Sequence, residues 1–267
     1  MNRKLTTAAI ATVLIVALRA CGSSTDAEPP AKNAASPSAS PSSPAHAAHG
    51  AVDGREVATK MADAMLAKKT AHMSMTTNGT PTMTGDSEVG NPIKVAMKIS
   101  QQGLKLEVVQ VSGLLYIKGI PGTTKPWIKV DPKGTDAFSK AMASVSNEIS
   151  KSSDPRALVE TMEGVKGKHV GTEQVGGDST EHYLFLIPIS SYAKVLSPAG
   201  LKALKGMVKG PIANDLWVGE DNLPRKMATT MVVGGKKQLT ELTYSDWGKP
   251  VNIVAPPAAQ VGTPPGS

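Results

Sequence analysis

The sequence predicts an α+β fold: one curved antiparallel sheet, a half-barrel of about ten strands, with helices on its concave face. Three observations carry this reading. Short runs of period-two alternation, separated by glycine-bearing turns, recur from residue 72 to residue 254. Apolar residues recur at three- and four-residue spacing only in a few places. Those helical stretches are grouped between runs of strands, and helices inserted in that way must pack on the apolar face of the sheet.

Two segments of another kind precede the domain. Residues 1–20, MNRKLTTAAIATVLIVALRA, carry Arg3 and Lys4, an apolar stretch through Leu18 and a small Ala20 before Cys21. That is the layout of a secretory signal, too short and wrongly flanked for a stable membrane span. Leu18-Arg19-Ala20-Cys21 resembles the lipobox of bacterial lipoproteins, departing from it at Arg19, where a small uncharged residue is usual. The resemblance implies cleavage before Cys21 and a diacylglycerol thioether on its thiol, with the protein held at the outer face of the cell membrane. Cys21 is the only cysteine, so no intramolecular disulfide and no cysteine-based zinc site is available. Residues 21–51 are rich in Ser, Pro and Ala and nearly free of large apolar side chains, the composition of a disordered tether. Its reach lies between about 30 Å as a coil and roughly 90 Å if extended. His46 and His49 in it have HxxH spacing, which on a tether reads as composition rather than as a metal site.

The folded domain is expected over residues 52–257. Asp53-Gly-Arg-Glu56 fits a capping box, and Val57, Met61 and Met65 form one stripe on a helix of about fifteen residues. Alternation follows at 72–76, where Met73 and Met75 share a face, and at 93–99, where Val95 and Met97 oppose Lys94 and Lys98. Further strands are expected at 104–108, 114–117 and 126–130. Phe138, Met142, Val145 and Ile149 make a single stripe on a helix opening near Thr135 or Asp136. Asp154-Pro155 opens a second helix carrying Leu158, Val159 and Met162 and stopped by Gly164. Strands resume at 168–174 and 181–187, the latter with Leu184 and Leu186. A helical region from 191 to 208 breaks at Ser197-Pro198. A last meander covers 215–218, 225–233, 239–245 and 251–254, and the Pro-rich tail 258–267 is expected to be loose.

Charge and composition exclude several function classes. The chain carries +7; without Arg3, Lys4 and Arg19 of the signal there are 26 basic against 22 acidic side chains, or +4. That is a mild bias compatible with a surface near anionic lipid and far from a nucleic-acid footprint. An aromatic content of 3% removes the stacking platforms that single strands need. Ser191-Tyr192-Ala193-Lys194 satisfies S-x-x-K, but its companion K-T-G and S-D-N motifs are missing, and Lys194 reads as the wet side of a helix capped by Ser190 or Ser191. His169 and His182 fall in strands and read as partnered polar residues. No catalytic role, cofactor or metal is expected.

Four blocks carry a family likeness: Leu115-Tyr116-Ile117-Lys118, Lys125 to Val130 (KPWIKV), Leu216 to Lys226 (LWVGEDNLPRK) and Tyr244 to Val251 (YSDWGKPV). In order and spacing they resemble the strand blocks of actinobacterial lipoproteins of the LppX/LprA/LprF/LprG type, whose fold is similar to that of the LolA and LolB carriers. The resemblance implies a half-barrel around an apolar cavity, the binding or transfer of acylated lipids or glycolipids, and a candidate partner in an envelope lipid transporter. Twelve Met against two Phe, three Trp and four Tyr suit such a cavity, because flexible thioethers adapt to chains of varied shape. The expected lining is Val57, Met61, Met65, Met73, Met75, Val95, Met97, Phe138, Met142, Val145, Ile149, Leu158, Met162, Leu184 and Leu186. The segments around Pro155 and Pro198 are candidate lids. The rival reading is a non-catalytic surface module with a solid core that binds an envelope or host protein.

Overall fold

The computed structural model describes residues 50–101, 103–134 and 137–263, so the signal, Cys21 and the tether with its two histidines lie outside the described residues. The strands are β1 (Ala51–Asp53), β2 (Thr70–Thr77), β3 (Thr80–Glu88), β4 (Lys94–Gln101), β5 (Leu104–Val111), β6 (Leu114–Lys118), β7 (Trp127–Val130), β8 (Lys166–Val175), β9 (Asp178–Ile187), β10 (Ile212–Gly219), β11 (Pro224–Val233), β12 (Lys236–Ser245) and β13 (Val261–Gly262). The helices are α1 (Gly54–Lys68), α2 (Ala137–Ser152), α3 (Arg156–Thr161) and α4 (Pro198–Met207), with 3₁₀ turns at Ile189–Lys194 and Ala258–Gln260.

All thirteen strands form one open, curled sheet in the order β1-β8-β9-β10-β11-β12-β2-β3-β4-β5-β6-β7-β13. The expected count of about ten is therefore too low. Every ladder is antiparallel except β7–β13, which is parallel. β7 and β8 lie near opposite edges, and the helical insertion α2–α3 carries the chain from one to the other. β12 pairs with β2, joining the C-terminal half of the meander to the N-terminal half.

Three strands escape the sequence pattern for identifiable reasons. β3 reads TPTMTGDSE, with Pro81 and Gly85 interrupting any alternation. At Gly85 a Cβ would stand 2.2 Å from the Ala96 carbonyl oxygen, so the ladder there requires glycine. β1 and β13 are short, and their role is positional: each covers a sheet edge that would otherwise leave backbone groups unpaired. The tail expected to be loose is thus tied down through Val261 and Gly262 beside Trp127 and Ile128, and Lys125 donates to the Ala259 carbonyl at 2.5 Å. Conversely, Val251–Val254 forms no strand.

The helices follow their local signals closely. Asp53 accepts from the amides of Arg55 at 2.9 Å and Glu56 at 3.2 Å, which satisfies first-turn donors. Glu56 does not reach back to complete a box; it pairs with Lys60 one turn on at 2.8 Å. Asp154 accepts from the Arg156 amide at 3.0 Å, with Pro155 at the N-cap one residue earlier than expected. Ser197 caps α4 by accepting from the Gly200 amide at 3.1 Å, with Pro198 at the first position. Neither Ser190 nor Ser191 caps the preceding turn. The expected opening of α2 at Thr135 or Asp136 lies outside the described residues.

Candidate functional site

One face of the sheet can be followed strand by strand through the ladders. Residues paired across neighbouring strands share a face, and the side chains alternate with a period of two. On this face lie Phe185 and Ile187 of β9, Leu216 of β10, Met227 of β11, Leu242 of β12, Met75 of β2, Met83 of β3, Ile99 of β4, Leu106 of β5, Ile117 of β6 and Ile128 of β7.

Helices cover two stretches of it. Toward the β7 edge, Phe138, Met142 and Ile149 of α2 pack on Val95, Met97, Val108, Leu115, Ile117 and Val130. Toward the β8 edge, Ala58 and Met61 of α1 and Met162 beyond α3 pack on Phe185, Ile187, Leu216 and Val218. A smaller cluster at one end of β9–β11 joins Leu204 of α4 to Val208 and Ile212, with Met231 against it.

Between the two large clusters the inward face carries Met227, Leu242, Met75 and Met83 in one row and Tyr244 and Met73 in the next. All six are only half-buried. Met227 leans on one cluster and Met83 on the other, whereas Met73, Met75 and Leu242 belong to neither. This methionine band is the candidate site. Tyr244 stacks on Trp247 with ring centroids 5.4 Å apart and planes at 19°, and its hydroxyl donates to the Met227 sulfur at 3.6 Å. Burial pushes the Tyr244 hydroxyl well above the usual tyrosine range, so it stays neutral. The band's walls are therefore uncharged and adaptable.

The sequence-predicted lining divides into four groups. Met61, Val95, Met97, Phe138, Met142, Ile149 and Met162 are buried within the two clusters, and Val57 and Leu158 are partly buried against one of them. Met65 is half-buried on α1. Met73 and Met75 lie in the band. Leu184 and Leu186 require correction: their neighbours Phe185 and Ile187 take the inward positions, and Leu186 is 56% exposed on the other face. A run of five apolar residues, Tyr183 to Ile187, offers no alternation from which to choose the parity. The side chain of Val145 lies outside the described residues.

Sequence reasoning missed Met83, Met227, Leu242 and Tyr244. Met83 hides in the irregular β3. The others sit in recognisable strands, but only the ladder registers show which face they occupy.

Polar groups also enter the helix-bearing face: Asn214 of β10, 7% exposed, accepts from the Thr229 hydroxyl at 3.0 Å, and Gln110 of β5 reaches beneath α2. Gln110, 2% exposed, donates from its Nε2 to Ser150 Oγ at 2.6 Å, and Ser150 in turn donates to the Ser146 carbonyl at 3.0 Å. Gln110 Oε1 is buried and has no hydrogen-bond partner among the described residues.

The opposite face holds an ionic network. His182, 8% exposed, sets Nδ1 2.8 Å from Glu173 Oε1 and Nε2 2.8 Å from Asp215 Oδ1. It stacks on Trp217 at 4.3 Å, whose indole donates to Glu173 Oε2 at 2.8 Å. Lys226 stands 4.7 Å over the same indole ring and pairs with Glu241 at 2.6 Å. On the helix-bearing face, His169, opposite Tyr183 in the β8–β9 ladder, bonds Glu181. Both strand histidines are thus partnered polar residues. Lys194 of the S-x-x-K stretch is ion-paired with Glu163, which also holds Arg55 at 3.2 Å, so its ammonium is committed to a carboxylate. A shallow surface depression beside α1 is lined by Asp53, Arg55, Glu56, Thr59 and Lys60, whose charged groups are already held in ion pairs, Glu56 with Lys60, Arg55 with Glu163 and Asp53 with Lys166.

No family model matches this chain, and no curated protein matches it. Among solved structures, the Mycobacterium tuberculosis lipoprotein LppX aligns with a TM-score of 0.50 at 17% identity, covering 75% of this chain and 97% of that one. LprF from Mycobacterium bovis gives 0.49 at 14% identity, over 76% and 96%. A LolA superfamily protein from Nitrosomonas europaea gives 0.28 at 9%, over 73% and 92%. The likeness to LppX shows the fold alone: the chain has a curled sheet like that of LppX.

Proposed function

We propose that this chain is a non-catalytic, lipid-anchored protein of the cell envelope that holds the acyl chains of a lipid or glycolipid on the methionine band and carries or transfers them. The observation behind this is the half-buried band on the helix-bearing side of the sheet, which we read as the concave side. Fully burying a Met or Leu side chain is worth about 1.5–3 kcal/mol, so half-burial of Met73, Met75, Met83, Met227 and Leu242 leaves roughly 1 kcal/mol unclaimed at each. A solid core would claim it. An acyl tail laid along the row would claim it instead, gaining about 0.8 kcal/mol per CH₂ withdrawn from water.

Exchange with a bilayer needs little driving force. A tail that passes from bilayer to band without crossing water changes one apolar surrounding for another, and the two per-CH₂ terms nearly cancel. Cys21, acylated after signal cleavage, and the tether through residue 51 keep the domain within reach of the outer face of the membrane. The segment from Ile189 to Val208 packs on Met231 at one end of the band, which makes it the better placed of the two candidate lids.

The test uses the chain from residue 21 with Cys21→Ser, which carries no acyl anchor. Mass spectrometry of the purified protein should detect a copurifying acyl lipid, and a fluorescent acyl probe should bind and be displaced by natural lipid. Absence of both would leave the rival reading, a surface module with a filled interior.

A further inference from the structure

Five lysines gather at the α4 end of the sheet. Lys202 and Lys205 project from the exposed side of α4, whose other side buries Leu204. Lys209 follows Val208, and an isolated antiparallel bridge from Val208 to Val233 sets it beside the β11–β12 hairpin. That hairpin turns through Gly234 and Gly235 at φ 57° and 80°, the type I′ geometry that tight hairpins favour, and it presents Lys236 and Lys237. All five lysines are exposed, and none takes part in an ion pair among the described residues, in contrast to Lys60, Lys94, Lys118, Lys166, Lys194, Lys226 and Lys249.

Their own stretches of the chain carry no acid. The chain has no Asp or Glu in residues 189–214 or 222–240, the two stretches that build this corner. Opposite Lys237 in the ladder stands Val232, 42% exposed. Unpaired ammonium groups on flexible stems around an exposed apolar side chain are the chemistry that anionic headgroups over an acyl layer attract.

We propose that this basic corner is a docking surface for an anionic phospholipid bilayer, turning the α4 end of the half-barrel toward the leaflet. The inference goes beyond lipid carriage and does not require it, since a domain with a filled interior would dock in the same way. If both hold, docking sets the Met231 end of the band against the membrane from which a tail would enter.

The experiment is vesicle co-sedimentation of the chain from residue 21 with Cys21→Ser, using phosphatidylcholine vesicles with and without phosphatidylglycerol. Binding should need phosphatidylglycerol and weaken as salt rises. Replacing Lys205, Lys209, Lys236 and Lys237 with Gln should lower binding by at least about tenfold, since each lysine close to an anionic leaflet contributes roughly fivefold. Replacing Lys98, Lys129, Lys140 and Lys151 with Gln removes the same net charge elsewhere and should leave most of the binding intact. Thermal melts of both variants check that each is folded, and acyl-probe uptake is read separately, so failure of docking and failure of lipid holding are distinguishable. Equal losses in the two variants, equal binding to neutral vesicles, or binding to heparin without binding to vesicles would overturn the proposal.

Discussion

Met75 and Met83 stand directly opposite one another across the β2–β3 ladder, on the side of the sheet that bears the helices. Both are half-buried there, although Ile99 and Leu106 continue the same row into a packed cluster beneath α2. Along one continuous face, packing is thus dense at two places and open between them. The openness is local to β11, β12, β2 and β3.

Filling the band should separate binding from stability. Met75→Trp places a bulky, rigid ring where the side chain has room, and acyl-probe affinity should fall by more than about tenfold while the unfolding midpoint barely moves, the usual result for substitutions outside the core. Met61→Trp is the comparison: Met61 is 1% exposed inside the α1 cluster, and overpacking there should cost about 1–3 kcal/mol in urea unfolding. If Met75→Trp destabilises as much as Met61→Trp, the band is ordinary core and the lipid reading loses its ground.

Much of this arrangement was legible in the sequence, and the omissions share a cause. Helix stripes such as Val57/Met61/Met65 and Phe138/Met142/Ile149 identify buried faces because a helix has only one apolar side to offer. A strand offers two. Where Lys94 and Lys98 alternate with Val95 and Met97, the parity is plain, but Tyr183 to Ile187 is apolar throughout and parity is set by partners far away in sequence. Gly167, Asn214 and Ile212 fix Phe185 and Ile187 inward, and none of them is a neighbour in the chain. The band was half-read for a related reason: Met73 and Met75 alternate visibly, while Met83, Met227 and Leu242 become its neighbours only through registers.

Acid should destabilise the fold, and Glu173 should be one source of that loss. The Trp217 indole, then His182, hold the Glu173 carboxyl below its ordinary 4.5, against a smaller opposing effect of burial. A carboxyl depressed in the folded state adds stability that is fully present above the unfolded value and disappears as pH falls through the folded one. Asp53, held down first by Lys166, and Asp246, held down first by Lys249, act in the same direction. The urea midpoint should therefore decline as pH drops below the ordinary carboxylate range. Glu173→Gln should be less stable at pH 7 yet decline less steeply there. Parallel curves for the two proteins would remove Glu173 from the account.

The assignment of faces on β9 can be tested at two adjacent sites with opposite expectations. Gly167 pairs with Phe185 across the β8–β9 ladder. A Cβ at position 167 would lie 2.3 Å from Phe185 Cδ1 and 2.6 Å from the Leu184 carbonyl oxygen. The Phe185 ring is fully enclosed and cannot swing aside without disturbing Met61, Met162 and Leu216, its companions in the cluster. Gly167→Ala should therefore cost about 1–3 kcal/mol, the range for overpacking a dense core. Leu186→Gln, one residue beyond Phe185 and exposed on the opposite face, should change stability by no more than about 0.5 kcal/mol and leave acyl-probe binding unaltered. Urea unfolding of both variants measures the contrast. A large loss at Leu186, or a mild effect at Gly167, would mean that β9 is turned the other way and that the inward row follows a different set of side chains.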